Sequence, residues 1–110
     1  MNPRMTPSTL TAWRRKQEGR AVAWIPMGSM RCRWDESRET RAGTSGDTAS
    51  WSAELVLPCV TDEPPLLRGD RVAPGVRDDA EPPADALEVV NCYPVHLSGV
   101  HPHHWEAVAR

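Results

Sequence analysis

Four histidines, His96, His101, His103 and His104, fall within nine positions, and Cys92 lies four residues upstream of the first. Imidazole and thiolate are the donors zinc prefers, and a Cys/His set could close a tetrahedral site. The spacing opposes this. Pro102 separates His101 and His103, which would share one face of an extended strand while His104 points to the other. No Cys-x-x-Cys or His-x-x-x-His pair anchors a site. Cys92, His96, His101 and His103 are therefore the zinc candidates of an alternative reading, a zinc-stabilised binding module. The competing role for these imidazoles is hydrogen bonding at a polar strand entry, and on that reading the chain needs no cofactor.

Other constellations carry less chemistry. Asp62-Glu63 and the group Asp78, Asp79 and Glu81 lie in Pro-rich connections, where solvated carboxylates are the ordinary outcome. There is no Gly-rich phosphate loop and no Gly-x-Ser-x-Gly elbow, so no enzyme is expected. Arg68-Gly69-Asp70 is a tripeptide that adhesion receptors read, yet turn chemistry alone explains its Gly and Asp. Arg14, Arg15, Lys16, Arg20, Arg31 and Arg33 interleave with Trp13, Trp24 and Trp34, as in single-strand nucleic-acid platforms. Against that alternative, Trp34 alternates with Cys32 and Met30, which marks a core face.

The elements that must position these residues read as short extended segments between turn signals. Strands are expected over 8–13, 21–25, 30–35, 51–60, 71–73, 86–95 and 103–109, with a turn at Gly19 and a tight hairpin at Gly28-Ser29. Within 86–95, Leu87, Val89, Asn91 and Tyr93 are expected on one face and Glu88, Val90 and Cys92 on the other. Residues 36–49 contain no large apolar side chain and are expected to form one long, mobile polar loop, and loops of this length inside compact domains are usually either functional or disordered. A second loop is expected over 76–85. No amphipathic helix of ten residues can be drawn without crossing a Pro or Gly. The fold class is therefore all-β, a small antiparallel β-barrel of six to seven short strands. It divides into a flexible N-terminal arm (1–8) and a single domain (9–110) carrying the mobile loop 36–49.

Composition narrows the function classes. With no Phe and one Tyr, five tryptophans must supply most aromatic packing. Three widely spaced cysteines, Cys32, Cys59 and Cys92, are a poor disulfide framework and suit buried thiols in a reducing compartment. No run of 18 apolar residues is present, and the first ten residues lack the apolar stretch of a secretory signal, so no membrane partner is expected. The net charge of −2 conceals a division: residues 1–41 carry nine basic and four acidic residues, residues 42–110 four basic and eleven acidic. Opposed signs in one chain suit head-to-tail contact with copies of itself better than a single nucleic-acid groove.

Several landmarks, in order, resemble the head–tail stopper or head-completion proteins of tailed-phage necks. These are Arg31-Cys32-Arg33-Trp34 closing an early hairpin, a polar loop, and then Glu54-Leu55-Val56-Leu57-Pro58. Arg68-Gly69-Asp70-Arg71-Val72-Ala73-Pro74-Gly75, Leu87-Glu88-Val89-Val90 and a closing His104-Trp105-Glu106-Ala107-Val108 follow, so the likeness spans residues 20–110. The Pro-rich stretch 61–67 and the histidines at 101 and 103 have no counterpart in that pattern. The resemblance implies a structural virion protein, assembled in the host cytoplasm and placed in the neck. It would form a ring of about six or twelve copies, below the portal–adaptor protein and above a tail protein or tail terminator. A neighbouring tail-terminator or adaptor role is the near alternative. The loop after the early hairpin would face the channel and retain packaged DNA through non-specific contact. Carried onto this chain, that loop is 36–49, with Arg38, Arg41, Gly43, Thr44, Ser45 and Gly46 as its channel-facing residues.

Overall fold

A computed structural model describes residues 3–43 and 46–110, with the backbone alone for Pro3 and for residues 38–43 and 46–50. After a 3-10 turn at Pro3–Met5 come six strands: β1 (Ser8–Glu18), β2 (Ala21–Gly43), β3 (Gly46–Pro58), β4 (Arg71–Pro74), β5 (Leu87–Val95) and β6 (His104–Ala109). All pairings are antiparallel. They run β1-β2-β3-β6-β5-β4 and return to β1, so the hydrogen-bonded strands close into a ring. Among the described residues no helix is long and apolar enough to cross a membrane.

Alternation explains the core. Leu10 and Ala12 of β1, Cys32 of β2, Ala53, Leu55 and Leu57 of β3, Val72 of β4, Val89 of β5, and Trp105, Ala107 and Ala109 of β6 pack together inside the ring. Leu66, from the β3–β4 connection, joins this core. Trp34 and Met30 pack against it on the same face as Cys32, as their spacing predicts. Trp13 is also fully buried, but outside the ring. Its indole N–H donates to the Asp79 carbonyl at 2.8 Å. The neighbouring Thr11 hydroxyl donates to the Gly75 carbonyl and accepts the Arg77 N–H. The start of the acidic segment, from Gly75 to Asp79, thus lies over the outer face of β1 as a fitted strap.

Three expectations are corrected. Gly28-Ser29 does not reverse the chain, and the strands expected over 21–25 and 30–35 are one strand of 23 residues. Ala12 pairs with Gly28 and Trp13 with Pro26, which leaves Met27 as the extra residue of a bulge, with Gly28 at φ +81°. At about 3.3 Å per residue a straight β2 would span roughly 73 Å. The longest dimension of the molecule is 51 Å, so the strand must bend.

Residues 36–49, expected as an unpaired loop, are strand up to Gly43 and again from Gly46, in register from Glu36↔Ala53 to Gly43↔Gly46. Lack of apolar residues forbids burial in a core, but backbone pairing in a solvated two-stranded ribbon requires none. Finally, β5 shifts register between Val89 and Asn91. The inserted Val90 turns Asn91 and Tyr93 outward and leaves Cys92 opposite the buried Ala107, so the face expected to continue from Val89 to Tyr93 is broken. Of the expected arm over 1–8, Met1 and Asn2 lie outside the described residues, Thr6 is buried, and its carbonyl accepts a bond from Arg31.

Candidate functional site

β2 belongs to two ribbons. Its residues 21–32 pair with β1 and its residues 33–43 with β3. The β4 partner of β1 ends at Trp13, and the β6 partner of β3 ends at Ala53. Residues 14–18 with 21–25, and residues 37–43 with 46–52, are therefore two-stranded beyond the ring. β2 runs from the tip of one ribbon to the tip of the other, so the two ribbons are the two ends of one bent strand with its partners. The second has seven residues per strand and extends roughly 23 Å. Its base is fixed by a 2.9 Å bond between the Ser37 and Ser52 hydroxyls. Beside that base, Trp34, Trp51 and Leu87 line a depression of about 340 Å³.

The backbone of Arg38, Arg41, Gly43 and Gly46 lies on this second ribbon, with Arg38 opposite Trp51 and Arg41 opposite Thr48. Thr44 and Ser45 lie outside the described residues. The structure thus places the backbone of the four described channel candidates on one arm.

The first ribbon is basic. Arg15, Lys16 and Arg20 are exposed, and Lys16 reaches Glu18 at 3.6 Å. Arg14 turns back instead and grips Asp70, whose carboxylate also accepts the Leu67 N–H at 2.8 Å. That carboxylate raises the affinity of the Arg14 guanidinium for its proton. Asp70 is 2% exposed, so the Arg68-Gly69-Asp70 turn offers no carboxylate to an adhesion receptor.

An acidic wall forms on the outside of the ring, and sequence reasoning missed it. Asp35 of β2 faces Glu54 of β3, Val56 of β3 faces Glu106 of β6, and Glu106 faces Tyr93 of β5. With Arg33 and Val108 these side chains line a depression of about 340 Å³. Arg33 meets Asp35 at 3.1 Å. A hydrogen bond to Glu106, then desolvation and the charges of Glu106 and Glu54, push the Tyr93 hydroxyl up from its ordinary range. In sequence these carboxylates stand 19 and 52 positions apart. Their one legible signal is an outward acidic position on each of three alternating segments, and only the pairing order joins them.

The zinc candidates disperse. Cys92 packs against the core, and burial pushes its thiol up. His101 bonds Asp62 at 2.8 Å and so ties the β5–β6 connection to the β3–β4 connection. The Nδ1 atoms of His103 and His104 lie 2.9 Å apart, which requires one ring to donate and the other to present a lone pair. Among the described residues no three His, Cys, Asp or Glu side chains gather as metal ligands. Compared with known proteins, the chain matches no family model, no curated protein and no solved structure.

Proposed function

We propose that this chain is a structural part of a tailed-phage neck, a small β-barrel that repeats as a ring of about six or twelve copies and joins head to tail. One observation carries the reading. A closed wall of six strands supports a two-stranded polar arm, residues 37–52, that no third strand flanks among the described residues. The wall supplies a stiff frame, and the arm supplies reach without any need for turnover chemistry. Arg38 and Arg41 sit on that arm, and arginine approaches phosphate without reading sequence, which suits holding a duplex that must later pass. In this role the ring lies beneath the portal–adaptor protein, above a tail protein or tail terminator, and the arm meets packaged DNA. The collinear landmarks from Arg31 to Val108 support the same placement.

The test is a chain shortened within 41–47. It folds with an unchanged far-ultraviolet spectrum, while tail-less heads completed with it lose their DNA. Normal DNA retention by such particles overturns the gating role. Imaging of the assembled neck that shows no copy of this chain overturns the placement.

A further inference from the structure

We propose that this chain binds a second copy of itself head to tail, the basic 14–25 ribbon of one copy seated on the acidic wall of the next. The inference names the contact surfaces of the ring proposed above and rests on that reading.

The wall gathers Asp35, Glu54 and Glu106 around one depression, and Arg33 is the cation among the described residues that line it, a net charge of −2. Asp35 and Glu54 stand directly opposite each other on neighbouring strands. Like charges so placed disfavour the sheet that carries them, and a cationic partner removes that cost. Val56 and Val108 supply apolar surface between the carboxylates.

The ribbon offers the complement. Arg15, Lys16 and Arg20 against Glu18 leave a net charge of +2 on its outer part, because Arg14 is engaged by Asp70. Its aliphatic side chains are left open, Val22 at 42% and Ile25 at 46% exposure. A two-stranded ribbon without a covering face is marginal in water, so these residues need a partner surface. Within one chain the ribbon extends from the β1 side of the ring, whereas the wall spans β2, β3, β6 and β5. A contact between two different surfaces is heterologous, and its repetition closes a ring or grows a filament.

The experiment compares native mass and sedimentation of the purified chain in about 0.1 M and about 1 M salt, where the screening length falls from about 10 to about 3 Å. The wild type associates in the first and dissociates in the second. The wall variant Glu54→Lys with Glu106→Lys loses association by roughly tenfold or more, as does the ribbon variant Arg15→Glu, Lys16→Glu and Arg20→Glu. Mixed one to one, the two variants reassemble, since each supplies the charge the other lacks. Circular dichroism verifies that each is folded. If the folded variants associate like the wild type, or stay apart when mixed, these surfaces are not the interface although a ring may still form through others. A wild type that remains monomeric in every salt overturns both the interface and the ring.

Discussion

The Arg14 guanidinium holds both carboxylate oxygens of Asp70, Nε at 3.1 Å and Nη2 at 2.9 Å, and so bolts the base of the first ribbon to the turn that precedes β4. The same carboxylate caps the Leu67 N–H, and Gly69 and Asp70 bond Val89 through the backbone. One acidic side chain therefore organises three segments. Removing it strands a guanidinium and a backbone donor together.

Asp70→Ala is accordingly expected to destabilise the fold by about 2–3 kcal/mol, less than a fully buried pair because Arg14 keeps about a third of its side chain in water. Urea denaturation measures the loss. Asp70→Ala with Arg14→Met recovers part of it, and a double-mutant cycle with no coupling energy would show the pair to be incidental.

The strap over β1 gives a second expectation. Trp13→Phe keeps most of the buried ring but deletes the N–H that reaches Asp79. The change should cost about 1–2 kcal/mol and loosen the segment 75–79 before the rest of the chain. Limited proteolysis reads this directly: cleavage at Arg77 accelerates in the variant and not in the wild type. Equal cleavage rates would mean that Trp13 does not hold the strap.

Much of the ring was legible because period-two alternation survives wherever a strand buries one face. Cys32 with Met30 and Trp34, and Trp105 with Ala107, were readable for that reason. Bulges were not. Gly28 reads as a turn because glycine marks both reversals and bulges, and only the partner strand distinguishes them. Val90 carries no turn signal at all, yet its insertion re-aims Tyr93 toward Glu106 and so helps to make the acidic wall. The polar ribbon was hidden for a different reason. Its pairing depends on backbone bonds, which leave no apolar period in the sequence.

Gly28 yields a prediction of its own. A Cβ there would meet nothing within 4 Å, so Gly28→Ala tests backbone conformation free of crowding. At φ +81° an L side chain is strained, and the expected cost is about 1–2 kcal/mol. Chemical denaturation checks it. No loss of stability would mean that β2 bends without a left-handed residue.

Cys32 is expected to weaken the fold at alkaline pH. The residue is 0% exposed inside the ring, and desolvation pushes its thiol up to about 11. An unfolded thiol titrates near its ordinary value of 9.0. Between these values the unfolded chain gives up a proton that the folded chain keeps, so rising pH favours unfolding. The contribution is intact below pH 9 and declines through pH 11, by at most about 3 kcal/mol in all. Cys92 shifts in the same direction through its own burial. Cys32→Ala removes a few core contacts and lowers stability at every pH, but the slope between pH 9 and 11 should flatten relative to the wild type. That slope, from urea midpoints at stepped pH, is the measurement, and parallel curves for the two proteins would mean that the thiol is not shielded. A thiol reagent gives the same answer by another route: Cys59 is labelled first, and Cys32 only as the ring opens.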